Sequence, residues 1–341
     1  MNPKVLLALG LGLVVGGLST FIYLDKNVKS DTAAQAVLAM QGKEYSVEQL
    51  PPAAARALFE VRREAWGRQN QIISGAAGEM YVQEKVKESG RDRQDVLMEV
   101  MGLSSPSEEQ LKAFYEENKN RIPAPYEQVK EQIHNFLIGQ DLQQKREQLT
   151  DRLRDELGMK VLLPEPEAPL TVIDTQGFPS KGNTSAQYTV VKFADYQCPH
   201  CANAAEAMDE LMEDIGDKVR LVYMDFPINR SGVSRDVALG AVCADEQGKF
   251  WEYNKVAFSQ QSSLNEGSKM TLAEGLGLDM SAYNECLTSD RPENKVARSE
   301  AEAERLGLTG TPAFFINGKV LQPENLADGL GAAIRKAAGI N

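Results

Sequence analysis

The stretch "FADYQCPHCANAAEAM", residues 193–208, constrains this chain more than any other. It sets two cysteines three positions apart around a Pro-His pair, directly after the apolar run "YTVVKFA" and directly before an alanine-rich helical stretch. Only four cysteines occur in 341 residues, so half of them stand at one strand–helix junction. Pro199 suits the first position of a helix, where its missing N–H costs nothing, and this makes Cys198 the N-cap. The N–H groups of the first turn and the helix dipole then point at the Cys198 sulfur and favour its thiolate. His200 adds to that, as a cation or as a hydrogen-bond donor. Cys201, one turn on, is placed to close a disulfide with Cys198 and to be the less exposed of the two. An acidic, exposed thiol with a resolving partner is what thiol–disulfide exchange requires.

Other cysteine chemistries fit less well. A structural zinc site needs four ligands, and the chain has neither a second C-x-x-C nor an H-x-x-x-H, so no metal is expected. A cysteine hydrolase needs a remote histidine base, and the only other histidine is His134, in a helical stretch with a solvated face. A purely structural disulfide in so small a ring would be strained, and strained disulfides are reactive. The redox reading needs no bound cofactor. A net charge of −12, with no basic stripe, argues against nucleic acid as a partner.

Three further segments organise the chain. "VLLALGLGLVVGGLSTFIYL", residues 5–24, is uncharged and long enough to cross a bilayer; with Lys4 it reads as a signal anchor over residues 1–24. Cleavage is the alternative: after Ser19 it would strand Phe21 to Leu24, and the A-x-A site Ala34-Gln35-Ala36 lies far past the apolar run. Residues 25–45 read as a spacer. Residues 46–162 read as an all-α domain with apolar residues at helical spacing: Leu58, Val61, Ala65, Ile72, Ile73, Met80 and Val86 in a first helix, and Val129, Ile133, Phe136, Leu142, Leu149 and Leu153 in a last one. Between them, Ser105 is the expected N-cap, Pro106 the first helical residue and Glu108 the partner in a capping box. "VLLPEPEAPL" then carries three prolines in six residues and marks a stiff linker at 163–170. Beyond it, strand-like runs at "LTVID", "YTVVKFA", "VRLVYMDF" and "AFFING" alternate with helical stretches at 199–215, 233–305 and 323–338, which predicts an α/β domain over residues 171–341.

"GLTGTPAFFING", residues 307–318, puts Thr311-Pro312 at the start of a strand, where proline suits a cis peptide or an edge. With Cys198-Pro199-His200-Cys201 after the first core strand and a helical insertion at about 233–305, residues 170–340 resemble the thioredoxin-fold DsbA family. The resemblance implies Cys198 as nucleophile, Cys201 as resolving thiol, and Thr311 and Pro312 as a cis-proline loop that helps hold an extended substrate chain. Similar domains often pair two cysteines in the insertion, so Cys243 and Cys286 are expected to be bridged in an exported protein; two buried free thiols are the alternative. Unfolded or partly folded exported proteins are the implied substrates, handled on the periplasmic side of the inner membrane. A DsbB-like membrane protein would recharge an oxidase. A DsbD-like donor would serve the competing isomerase or reductase reading, and a scaffold without catalysis is the third. More weakly, residues 46–162 resemble the helical chaperone domain of SurA-type foldases through "SPSEEQLKAFYEENKNRI" and "YEQVKEQI". Only "PAP" separates Ile122 from Tyr126, so no isomerase domain fits between these segments. Binding of unfolded chain, self-association into a homo-oligomer, or a plain spacer role follow as the options.

Overall fold

The computed structural model describes residues 36–340 except 324, 327 and 328. The proposed anchor at 5–24 and the Ala34-Gln35-Ala36 site therefore lie outside the described residues or at their edge. Among the described residues, no helix is long and apolar enough to cross a membrane. The chain falls into two units, one ending at Val47 and the other running from Glu48 onward. In the first, the end of the expected spacer is an antiparallel hairpin of β1 (Leu38–Met40) and β2 (Lys43–Tyr45), turning at Gln41 and Gly42.

The second unit opens with four helices: α1 (Pro52–Ser89), α2 (Arg93–Met101), α3 (Glu108–Asn118) and α4 (Tyr126–Leu157). α1 packs on α2 and α4, and α3 packs on α4. Two small cores hold them. Met101, Leu149 and Leu153 form one, and Leu111, Val129 and Ile133 the other. Of the six residues expected on the α4 stripe, Val129, Ile133, Leu149 and Leu153 are buried and Leu142 packs against one of these cores, whereas Phe136 is half exposed.

The stripe expected on α1 is not its packing face. Val61, Ile72 and Met80 are 65%, 71% and 69% exposed, and Ile73 and Ala65 are exposed as well. The buried positions are Ala55, Phe59, Ser74, Gly78 and Val82. Small residues at 74 and 78 let α4 come close: a Cβ at Gly78 would stand 3.4 Å from Leu149 Cδ2. Close approach at Ser74 and Gly78, together with Ala55, Phe59 and Val82, marks the packed face. The start of α3 also differs from the expectation. Ser107, not Ser105, is the N-cap, and its hydroxyl accepts from Gln110 N (3.2 Å) while Gln110 Oε1 accepts from Ser107 N (2.8 Å). Two S-x-x-E/Q boxes overlap in this stretch, and the later one starts the helix.

Residues 158–179 contain no helix or strand. Trp66 Nε1 donates to Leu163 O (3.2 Å), which ties the proline-rich stretch to α1. "LTVID" does not form the expected strand. It makes one sheet-like bond, Thr171 N to Gly318 O (3.0 Å), while Leu170 and Val172 face solvent.

The sheet is built from β3 (Ser180–Gly182), β4 (Tyr188–Ala194), β5 (Val219–Asp225), β6 (Ala313–Ile316) and β7 (Lys319–Leu321), in the order β3-β5-β4-β6-β7. β4 and β5 are parallel, joined through α5 (Pro199–Ile215); the other pairs are antiparallel. The β6–β7 turn is Asn317-Gly318, both with positive φ (46° and 80°), as a two-residue hairpin of this kind needs. The expected insertion at 233–305 is five helices: α6 (Val233–Asp245), α7 (Phe250–Ser259), α8 (Ser268–Gly275), α9 (Met280–Leu287) and α10 (Asp290–Arg305). α11 (Gly329–Ala338) closes the chain.

Alternation along β4 sends its residues to two sides. Val191 and Phe193 pack with Met224, Leu306 and Phe315 under α10, whereas Val190 packs with Met208, Leu211, Leu330 and Ile334 under α5 and α11. Each such side chain contributes about 1.5–3 kcal/mol by leaving water. α1 meets this domain at Gly307 (φ +68°), where a Cβ would stand 2.7 Å from Ala53 Cβ.

Candidate active site

β4 ends at Ala194, and four residues later Cys198 caps α5 with extended backbone, Pro199 occupying the first helical position. Three devices hold this junction. The Asp195 carboxylate accepts from Gln197 N (2.6 Å), Ile228 N (2.8 Å), Asn229 N (2.8 Å) and the Ser234 hydroxyl, joining the loop before α5 to the loop after β5 and to α6. Gln261, just after α7, donates its Nε2 to Tyr196 O (2.8 Å) and Cys198 O (3.0 Å). Tyr196 is itself buried and accepts from Asn254 at its hydroxyl (3.0 Å). The insertion thus clamps the backbone of the cysteine from the far side.

Cys198 and Cys201 are free thiols, the first half-buried and the second fully buried. Cys198 Sγ lies 3.2 Å from Thr311 O, and the Thr311-Pro312 peptide is cis. The cis-proline loop expected from the sequence is therefore against the Cys198 sulfur. The Cys198 thiol is pulled down to about 5, first by a hydrogen bond from the Cys201 thiol. Partial burial opposes this; the Thr311 side chain and the N–H groups of Cys201 and His200 reinforce it. Thr311 Oγ1 is buried and makes no hydrogen bond of full geometry, yet it faces both sulfurs and favours their anionic forms. Cys201 moves the opposite way, well above the ordinary thiol range, first by burial and then by the neighbouring Cys198 sulfur. Asp195 N approaches its Sγ at 3.5 Å. One sulfur is poised as an anion near neutral pH and its neighbour is held as a thiol.

His200 and Pro199 are exposed on the first turn, and His134 stands on α4 beside Asn135. Cys243 of α6 and Cys286 of α9 are joined in a disulfide within the same buried cluster that contains Cys201. Among the described residues, no group of His, Cys, Asp and Glu is arranged to hold a metal ion. Sequence reasoning missed Asp195, Ser234, Gln261 and Lys192. Asp195 sits inside the quoted motif and Lys192 breaks an otherwise apolar strand, so both left a trace; Gln261 and Ser234 left none.

The family described as Thioredoxin matches residues 174–336. Among curated proteins, the chain is 32% identical over 158 residues to a Na(+)/H(+) antiporter NhaA 3 of Salinispora tropica, covering 46% of this chain and 24% of that protein. A Na(+)/H(+) antiporter NhaA 1 of Salinispora arenicola is 31% identical over the same length. The chain spans about a quarter of the length of these relatives. Among solved structures, a thioredoxin-like oxidoreductase from Silicibacter pomeroyi is 28% identical with a TM-score of 0.43, covering 49% of this chain and 95% of that one. BdbD from Bacillus subtilis is 22% identical with a TM-score of 0.45, covering 51% and 99%. Together with the C-P-H-C helix cap, the cis-proline strand and the inserted helices, the family match makes residues 174–336 a DsbA-like thioredoxin-fold domain.

Proposed function

We propose that this protein is an exported thiol–disulfide oxidoreductase that donates disulfides to folding proteins through Cys198 and Cys201. The opposed environments of the two sulfurs carry the reading: an accessible thiol with its acidity raised to about 5 sits one turn before a buried one. Stabilising the Cys198 thiolate stabilises the reduced pair, which makes the disulfide the stronger electron acceptor. The Thr311-Pro312 loop beside Cys198 supplies an edge against which an extended substrate would lie. Residues 1–24 would anchor the protein at the membrane, with the catalytic domain on the periplasmic side and a DsbB-like protein as the recharging partner.

The exposed apolar residues Val61, Ile72, Ile73, Met80 and Phe136 favour a role for the helical region in holding unfolded chain or in self-association. Trapping the redox state in cells by acid quench and thiol labelling tests the direction of flow. A pair found mostly as disulfide supports the oxidase. A pair found mostly reduced sinks it and favours an isomerase or reductase served by a DsbD-like donor. Insulin reduction unchanged by Cys198→Ser would remove the enzymatic reading altogether.

A further inference from the structure

Gln261 opens the short 3-10 turn (Gln261–Ser263) that follows α7. Its side-chain Nε2 donates to two backbone carbonyls far away in sequence, Tyr196 O at 2.8 Å and Cys198 O at 3.0 Å. The Tyr196–Gln197 peptide is held at its other end as well, where Gln197 N donates to Asp195 Oδ1 (2.6 Å) and to Ser234 Oγ (3.1 Å). The Cys198–Pro199 peptide has no N–H, so hydrogen bonds can orient it only through its carbonyl. That carbonyl accepts the first-turn bonds of α5 from Cys201 N (2.9 Å) and Ala202 N (3.3 Å), and Gln261 adds a bond from outside the helix.

Asn254, Phe258 and Gln261 are spaced four and three apart, as residues along one side of α7 and its continuation are. Asn254 Nδ2 donates to the buried Tyr196 hydroxyl (3.0 Å), and the Phe258 ring centre stands 4.9 Å from that of Tyr196. This one stripe of the insertion therefore holds Tyr196 at its hydroxyl, its ring and its carbonyl. An apolar residue at 261 could fill the same space, but it would leave both carbonyls without this donor. Position 261 supplies a forked donor rather than bulk.

We propose that Gln261 is a positioning residue for disulfide exchange: by orienting the Cys198–Pro199 peptide it keeps the Cys198 sulfur over the first-turn N–H groups of α5 and against Thr311 O. The inference rests on the redox reading of the Cys198–Cys201 pair. A substrate thiolate attacks the Cys198 sulfur, the Cys198–Cys201 bond breaks, and its electron pair goes to Cys201, which takes a proton from solvent. A second substrate thiolate attacks the substrate sulfur of the mixed disulfide, and the electron pair of that bond leaves on Cys198. The substrate is oxidised by two electrons and the pair is reduced by two. Cys198 is the last group to leave, and it leaves faster the better its thiolate is held. The N–H groups of Cys201 and His200 hold that thiolate only while the sulfur stands over them. The ψ angle of Cys198, 116°, sets where its Cβ points relative to the helix, and this is the rotation that the bond from Gln261 to Cys198 O restrains.

The test compares the full-length wild type with Gln261→Met, which keeps length and removes both donors. Iodoacetamide alkylation of the reduced proteins against pH should show the Cys198 midpoint raised by about one unit from about 5, an about tenfold loss of thiolate stability. The equilibrium with glutathione at pH 7 should move about tenfold toward the disulfide, or about 30 mV. A folded variant with both readouts unmoved overturns the proposal, even where its stability in urea has fallen, since that is a purely structural role. The wild type alone supplies a second test that holds where the variant does not fold. In nitrogen-15 NMR spectra the Gln261 side-chain N–H signals should exchange slowly with solvent and shift with pH through the Cys198 midpoint. Fast exchange, or signals that ignore that titration, overturns the proposal. A wild type that does not equilibrate with glutathione at all would bring down the redox reading, and the proposal with it.

Discussion

The helical region and the thioredoxin-fold domain solve the same packing problem with opposite thoroughness. In the domain, β4 is covered on both faces, so Val190, Val191 and Phe193 each have one place to go. α1, by contrast, is 38 residues long, about 57 Å, and most of its circumference has no neighbour. Its apolar residues are free to face water while Ser74 and Gly78 make the contact. A layered fold leaves hydrophobic residues little choice; a long helix in a thin bundle leaves them a great deal. Chemistry follows the same division. The sulfurs, the cis-proline loop and the buried lysine all belong to the closely packed layered domain, whereas the helical region offers surface.

The largest expected contrast is in activity. Cys198→Ser should abolish insulin reduction, while Ile72→Ser combined with Met80→Ser should leave its rate unchanged; a comparable loss from both would mean that the helical surface takes part in exchange. Next in size is the insertion disulfide. Cys243→Ser with Cys286→Ser opens a loop of 43 residues and should cost about 4 kcal/mol in denaturant unfolding under non-reducing conditions. No change would show that α6 and α9 hold together without the bridge.

A gain is expected from Lys192→Met. The native pKa of Lys192, about 8, lies below its ordinary 10.5, so the unfolded chain keeps a proton that the native protein sheds. The cost of the buried charge is then fully present below about pH 8, and stability should climb with pH between about 8 and 10.5. At about 1.4 kcal/mol per unit, the substitution should stabilise the reduced protein at pH 7 by roughly 3 kcal/mol and flatten that climb. Urea unfolding at pH 7 and pH 10 checks both. Destabilisation at pH 7 would mean that the ammonium has a partner that holds it. Cys198 titrates in the other direction. Its thiolate stabilises the reduced protein at alkaline pH, and that contribution is lost as pH falls through about 5. Alkylation of the reduced protein by iodoacetamide should have its midpoint there, and a midpoint near 9 would refute the assigned environment.

The smallest effect belongs to the α1 surface itself. Ile72→Ser and Met80→Ser should each move folding stability by less than about 0.5 kcal/mol, because neither side chain is packed. Light scattering and an aggregation-suppression assay should nevertheless register them. A loss of more than about 1 kcal/mol would show that this face is covered in solution.

Much of the domain was readable because its signals are local. Pro199 after Cys198 starts a helix, "YTVVKFA" is a buried strand, and Asn317-Gly318 closes a hairpin. "LTVID" misled because its composition is that of a strand while its backbone makes a single sheet-like bond; "SKG", which does pair, has no strand signature at all. The choice between Ser105 and Ser107 as N-cap was ambiguous for a related reason: both satisfy the same local rule, and the structure uses Ser107 with Gln110.

By itself, the sequence determined where the reactive sulfur sits, that a helix begins on it, and that an α/β domain follows the proline-rich stretch. These depend on neighbours within one or two turns, where covalent geometry and capping decide. Tertiary structure decided the rest. Thr311 reaches Cys198 from 113 residues away, Gln261 clamps its carbonyl from 63, and Asp195 binds two loops that meet only in the folded chain. The Lys192 charge is ordinary in water and becomes exceptional only because the strand that carries it is buried and the Tyr223 and Phe258 rings stand over it. Desolvation is a property of the whole packed neighbourhood, and no single segment of the chain encodes it.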